Sequence, residues 1–271
     1  LSRISSLKHI FLAGEALPID LVHQFNTLNS GITLENIYGP TEATIYSTKF
    51  SINELKDHLR VPIGKPIGNL KMYVLDSCGN MIPRGVEGEL CIGGIGLARG
   101  YMNNEELTNK VFVEYPSIAD NKLYRTGDLV RWLEDGNIEY LGRIDDQVKI
   151  RGFRIELGEI GSQLSAHPQV KESVVVAKDR GGDKYLVAYY LSDVELETSD
   201  ITDHLSKNLP EYMIPFHFVK LDSFPTNRNG KLDRKLLPDP EITAGEDYVA
   251  PRNETEQALV SIWSEVLKID A

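Results

Sequence analysis

The chain has 271 residues, 41% hydrophobic and 25% charged, with 29 basic against 40 acidic side chains and a net charge of −11. That length suffices for one sizeable core or two smaller ones, and the acidic balance argues against a broad surface tracking nucleic-acid phosphates while leaving room for a local basic site for one nucleotide. No apolar run approaches the ~20 residues that span a bilayer, Leu1-Ser2-Arg3 opens no signal-peptide pattern, Cys78 and Cys91 fit a reducing cytosol rather than a disulfide scaffold, and six scattered histidines argue against a protein-held transition metal.

Residues 10–13 form a short apolar run before Gly14, the mark of a buried strand. Leu21, Val22, Phe25 and Leu28 then have helical spacing. Residues 34–38 read as a second strand ending in the turn Gly39-Pro40, so the start is strand–helix–strand, as in an α/β sheet. From 61 to 140, strand-like pieces at 72–75, 89–92 and 138–140 alternate with Gly, Pro and Asn turns. That pattern favours a small, mostly antiparallel sheet or barrel.

Residues 147–151 alternate polar and apolar, so Val148 and Ile150 point one way and Lys149 and Arg151 the other. Gly152 breaks the run, and 153–155 can pair back as a second strand. Leu157, Ile160 and Leu164 follow at helical spacing. Taken alone, this basic ribbon is a solvated strand face in front of an ordinary helix. A compact α+β unit continues with strands at 174–177, 186–191 and 216–221, and a helix capped by Asp200 that carries Ile201, Leu205 and Leu209. Residues 238–251 are Pro- and acid-rich and read as a linker. Asn253 with Glu256 resembles a capping box for a helix whose face carries Leu259, Ile262, Trp263, Val266 and Leu267.

Several residues suggest chemistry. Tyr38, Thr41 and Glu42 surround a strand-end turn, where an aromatic, a hydroxyl and a carboxylate suit a base, a phosphate and Mg²⁺, although a plain surface turn has the same composition. Asp128 lies in a tight turn after Thr126-Gly127 and is either a clamp for two ribose hydroxyls or an Asx turn. Lys231 follows the turn signal Asn229-Gly230 and is, by itself, a solvated loop lysine. Gly93, Gly94 and Gly96 follow a strand but open no helix and carry no lysine. They therefore read as a structural turn rather than a phosphate loop, with Arg99 as a packing or salt-bridge residue.

Six segments in order resemble the amino-acid adenylation domains of nonribosomal peptide synthetases, members of the adenylate-forming enzymes. They are NIYGPTE at 36–42, GELCIGGIGLARGY at 88–101, YRTGDL at 124–129, GRIDDQVKIRGFRIELGEI at 142–160, LPEYMIP at 209–215 and NGKLDR at 229–234. The resemblance runs from about Leu7 to Leu237. It implies an α/β and α+β architecture: the C-terminal part of the large core, a sheet plus small β-barrel, over 1–144; a small lid domain over 145–237; a linker over 238–252; and the first helix of a truncated carrier domain over 253–271.

The resemblance also implies roles. Lys231 would be the catalytic lysine, with Thr41 on phosphate and Glu42 on Mg²⁺. Tyr38 would stack on adenine, Asn36 would bond its edge, and Gly14 and Glu15 would form the opposite wall. Asp128 would clamp the ribose with Arg143 nearby. Asp145 would be the hinge about which the small domain turns between two half-reactions, the second presenting Gln147, Lys149, Arg151 and Gly152. The substrate pocket would include Phe11, Ala13, Ile37, Ile45 and Tyr46, a mostly apolar set.

The activity implied is ATP-dependent formation of aminoacyl-AMP and then of a thioester on a carrier domain in cis. ATP, Mg²⁺ and carrier-borne phosphopantetheine are the implied cofactors, in a cytoplasmic antibiotic synthetase with an upstream condensation domain. No nucleic acid or membrane is implied. The family's Gly-rich phosphate loop and pocket aspartate belong upstream of Leu1, the carrier serine belongs downstream of Ala271, and Gly161 stands where the family has Glu. The chain therefore reads as a segment inactive by itself. The alternatives are an acyl- or aryl-CoA synthetase, against which the linker and carrier-like helix argue, and a non-catalytic carrier-docking segment.

Overall fold

The structure, a computed structural model, describes residues 6–28, 31–55, 58–115, 118, 122–180, 183–227, 232–240 and 250–267. The chain divides into two compact units, Leu1–Leu157 and Gly158–Ala271.

The first unit opens with β1 (His9–Leu12), α1 (Ile19–Thr27), β2 (Thr33–Tyr38), β3 (Thr48–Ser51) and β4 (Lys65–Pro66). β1 and β2 are parallel, as the intervening helix allows, while β3 and β4 continue the sheet antiparallel. Strand alternation sends Leu34 and Phe50 to one face, where they meet Val22 of α1, Ile52 and Val61.

Next come β5 (Leu70–Leu75), β6 (Gly88–Gly94), α2 (Glu105–Val111), β7 (Phe112–Val113), β8 (Leu123–Trp132) and β9 (Ile138–Arg143). They form a five-stranded antiparallel sheet. The small, mostly antiparallel sheet expected for this stretch is present. β8 is its axis, pairing β6 along one side and β7 and then β9 along the other. Met72, Val74, Leu90, Ile92, Val130 and Ile138 pack in one cluster with Tyr38 and Ala43. That shared core fixes the end of β2 against the second sheet.

β10 (Val148–Ile150) and β11 (Phe153–Ile155) form the ribbon hairpin, with Lys149 opposite Arg154. Arg151 and Gly152 make its turn at φ 52° and 80°. Positive φ at both positions gives the mirror-type turn that matches strand twist. Arg151 is thus a turn residue rather than the strand residue its alternation suggested.

α3 (Leu157–Ser165) leads into the second unit, with β12 (Glu172–Arg180), β13 (Asp183–Leu191), α4 (Thr198–Ser206), β14 (His217–Leu221) and α5 (Glu254–Leu267). β13 is central, antiparallel to β12 and parallel to β14. Two local expectations need correction. Glu197, not Asp200, holds the N-cap of α4, without a side-chain bond, and Asp200 falls in the first turn. Leu209 lies beyond the helix but is still buried. The segment read as linker is tied at its start, because Pro238 O accepts from Tyr189 Oη (2.5 Å) and Lys178 Nζ (3.0 Å), and Lys178 also reaches Asp239 (2.5 Å). At α5, Asn253 Oδ1 accepts the Glu256 N–H at 2.9 Å, while Glu256 bonds the Arg252 N–H, so half of the capping box forms.

Candidate active site

β2 delivers Tyr38 to the sheet edge, and the chain then turns sharply. The Ser47 N–H donates to Tyr38 O at 2.7 Å, and a Cβ on Gly39 would stand 2.4 Å from Ile45 O. Only glycine fits there. Thr44 and Ile45 carry φ of 60° and 69°. A β-branched residue in that region is a genuine outlier, of the kind that gathers at functional sites.

Two buried carboxylates face this turn, and each is met by tyrosine and by arginine, Glu42 by a second tyrosine, Tyr124, as well. Asp128, on β8, accepts from Tyr38 Oη and from Arg143 Nη1 at 3.0 Å. Glu42, in the turn itself, accepts from Tyr101 Oη at 2.5 Å, and Arg154 Nη1 reaches both its oxygens at 2.8 and 2.9 Å. Burial alone would push the Glu42 carboxyl up, but the Tyr101 bond and the Arg154 charge hold it below the usual range. Burial and the Asp128 charge raise the Tyr38 phenol, so it remains a donor. Arg143 also grips Asp145 at 2.5 and 2.8 Å and Thr126 O at 2.7 Å.

The hairpin register puts Lys149 and Arg154 on one face, pointing at the core. Two cations side by side repel, and the core answers with acceptors: Arg154 takes Glu42, and Lys149 Nζ lies 5.6 Å from the Tyr38 ring centroid. Burial, with Arg143 and Arg154 adding to it, lowers the Lys149 ammonium below its ordinary value against the pull of Asp128. The Gly152 N–H donates to Glu15 Oε1 at 2.7 Å.

These groups line a cavity of about 130 Å³, walled by Gly14, Tyr38, Gly39, Pro40, Thr41, Thr126, Asp128, Arg143, Gln147, Lys149, Gly152 and Arg154. It offers an aromatic surface, hydroxyls, a carboxylate and several cations, a set suited to an anionic ligand that carries a ring and a diol. Of the residues expected at a nucleotide site, Gly14, Tyr38, Thr41, Asp128 and Arg143 line the cavity, whereas Glu15 and Glu42 stand behind its lining and Asn36 turns its amide to Pro62 O (2.8 Å). The expected substrate-pocket residues lie elsewhere. Ile37 is buried, while Phe11, Ala13, Ile45 and Tyr46 are exposed. Arg151 is exposed at the turn tip, and Lys231 lies outside the described residues. Arg99 is exposed, and it is its carbonyl that takes part, accepting from Lys122.

Sequence reasoning passed over Tyr101 and Arg154. The signal for Arg154 was present, since pairing 148–150 with 153–155 around Arg151-Gly152 puts it opposite Lys149. Nothing local flagged Tyr101, because its partner is 59 residues away.

Two family models match: AMP-binding enzyme over residues 2–102, and AMP-binding enzyme C-terminal domain over 159–231. Together they take in well over half of the chain. The chain belongs to the AMP-binding enzymes. It is 48% identical over 271 residues to bacitracin synthase 3 of Bacillus licheniformis, a match that covers 98% of the chain and 4% of that protein. It is also 48% identical over 274 residues to tyrocidine synthase 1 of Brevibacillus parabrevis, covering 99% and 25%. The chain thus spans a small part of the length of these AMP-binding relatives. Among solved structures, it is similar to an NRPS protein containing adenylation and PCP domains, bound to a vinylsulfonamide inhibitor (TM-score 0.76, 27% identity, 98% of this chain and 44% of that one). A second is the Vibrio cholerae adenylation domain AlmE in complex with glycyl-adenosine-5'-phosphate (TM-score 0.73, 27% identity, 84% and 44%). Among the described residues, no helix is long and apolar enough to cross a membrane.

Proposed function

We propose that the chain is part of a nonribosomal peptide synthetase adenylation module. The module joins an amino acid to AMP with release of pyrophosphate and then passes the acyl group to the phosphopantetheine thiol of a carrier domain. The supporting observation is that Tyr38, Thr41, Asp128 and Arg143, from three separated motifs, line one cavity.

In this reading the Tyr38 ring stacks on adenine, and Gly14 and Glu15 form the facing wall with Asn36 near the base edge. Asp128 accepts from the two ribose hydroxyls, and Arg143 holds Asp128 in place while facing the ribose and α-phosphate. Thr41 touches the phosphates. Glu42 suits Mg²⁺ carried by nucleotide. No group of three or more His, Cys, Asp or Glu able to hold a metal occurs among the described residues, and Mg²⁺ at such sites takes one or two carboxylates with phosphate and water oxygens. Mg²⁺ bound there neutralises phosphate charge.

A carboxylate oxygen of the amino acid attacks the α-phosphorus. The new P–O bond forms as the bond to the pyrophosphate oxygen breaks, and Lys231 places its positive charge on the transferring group. In the second step the carrier thiol attacks the acyl carbon and AMP leaves. Asp145 is the hinge between the two states, and Gln147, Lys149, Arg151 and Gly152 form the surface presented in the second. Phe11, Ala13, Ile37, Ile45 and Tyr46 contribute to an amino-acid pocket completed by residues beyond this chain. The domain limits are 1–144, 145–237, 238–252 and 253–271, with the carrier in cis, a condensation domain upstream and the cytoplasm as location.

Nucleotide binding tests this reading. In the full-length protein, Asp128→Ala should weaken ATP and AMP binding in calorimetry by ten-fold or more, on the ~1.5–3 kcal/mol of a hydrogen bond to a charged group. Undiminished affinity would count against the ribose role.

A further inference from the structure

The Gly-rich stretch of 93–101 has no part in the chemistry above, yet it is stitched to the Glu42 turn. The Ala98 N–H donates to Glu42 O at 2.8 Å, and the Thr44 hydroxyl donates to Gly96 O at 2.6 Å. Tyr101 then reaches the Glu42 carboxylate itself at 2.5 Å. Tyr101 is held from behind. Its N–H donates to Thr108 Oγ1 at 2.9 Å, Thr108 Oγ1 donates to Asn104 O at 2.7 Å, and the ring packs edge-on against Phe112 at 6.0 Å. The side chain thus sits in a fixed frame with its hydroxyl aimed at one carboxylate oxygen.

We infer that Tyr101 is a positioning residue for the Glu42 carboxylate, fixing its Oε1 so that Oε2 is presented to the Mg²⁺ of the nucleotide. The inference rests on the adenylation reading and deepens it. The protein partners of Glu42 differ in kind, one arginine against two tyrosine hydroxyls, Tyr101 and Tyr124. Arg154 bonds both oxygens and, as a cation, competes with a metal for them. Tyr101 bonds Oε1 alone, as a neutral donor compatible with a metal on Oε2. A carboxylate held by a rigid donor loses less freedom when it takes a metal, so its removal weakens metal binding more than it slows the chemical step. The loop from Gly94 to Tyr101 then serves as the rigid bracket of the metal carboxylate.

The test uses the full-length protein and Tyr101→Phe, which keeps the ring and removes only the hydroxyl. Two readouts are needed: Mn²⁺ affinity in the presence of a non-hydrolysable ATP analogue by electron paramagnetic resonance, and the Mg²⁺ dependence of pyrophosphate exchange. The expected result is a roughly ten-fold weaker Mn²⁺ affinity and a matching rise in the half-saturating Mg²⁺ concentration, with the rate at saturating Mg²⁺ reduced less than about three-fold. Metal-free nucleotide affinity should stay within about two-fold. Equal or tighter Mn²⁺ binding in Tyr101→Phe overturns the inference while leaving the adenylation reading standing. If the unsubstituted protein binds no Mn²⁺–nucleotide, the reading and the inference fail together. Should Tyr101→Phe lose its cooperative thermal transition, Thr44→Val, which cuts another stitch of the same bracket, decides: a roughly three-fold weaker Mn²⁺ affinity supports the inference, and none overturns it.

Discussion

Asp128 and Glu42 share a solution to one physical problem. A carboxylate taken out of water is costly unless it is paired and hydrogen-bonded, and here each receives an arginine and tyrosine hydroxyls, one for Asp128 and two for Glu42. The tyrosines come from different directions, Tyr38 from the end of β2 and Tyr101 from the loop after β6, so both carboxylates are pinned by the packing of two sheets. Cys91 shows the opposite case of a buried group left neutral. Burial, with the Glu89 charge adding to it, pushes its thiol up to about 12, whereas Cys78 is exposed. Thiolate is the reactive form. One thiol, Cys78, should therefore alkylate readily with iodoacetamide at pH 8, with Cys91 following only on denaturation. Rapid labelling of both in the folded protein would contradict the packing of β6.

At the scale of elements, the ribbon hairpin depends on its docking. Three-residue strands make a hairpin that is marginal in isolation. Its hold on the rest of the first unit comes from Arg154 on Glu42, Gly152 on Glu15 and Lys149 above Tyr38. Arg154→Gln should raise amide exchange across 148–155 by roughly ten-fold. That is the low end of the ~1.5–3 kcal/mol for charged hydrogen bonds, because about a third of the arginine is exposed. Exchange equal to the unsubstituted protein would show that the pair does not hold the hairpin.

The hairpin also marks how far sequence could go. Alternation and Gly152 were enough to read two strands and a turn, because the period of a strand is local. Arg151 was misassigned because charge alternation alone does not reveal a positive φ. The targets of the two cations were illegible, since Glu42 and Tyr38 lie more than a hundred residues away. Similarly, the α4 cap was misplaced from Glu197 to Asp200 because capping preference is weak against the way the preceding loop enters the helix. Leu237 was legible as apolar, but not as part of the core cluster with Val187 and Tyr189 that anchors the following chain.

For the whole molecule, the first unit has two sheets and the ribbon hairpin, the second has one sheet, and each unit has buried core of its own. The first carries the cavity, with every residue that lines it drawn from within that unit. The second carries the segment around Lys231, matched by the AMP-binding C-terminal model. In the proposed reaction the catalytic lysine and the nucleotide-binding residues therefore belong to different units, and activity requires both. The measurement that bears most directly on this account is amino-acid-dependent ATP–pyrophosphate exchange by the full-length protein across a panel of amino acids, with and without Lys231→Ala. The account predicts exchange with one amino acid or a narrow set, reduced at least 100-fold by Lys231→Ala, on the scale of ~2.7 kcal/mol for loss of one transition-state charge contact. Exchange that persists undiminished in Lys231→Ala, or none from a folded protein that binds ATP, would contradict it.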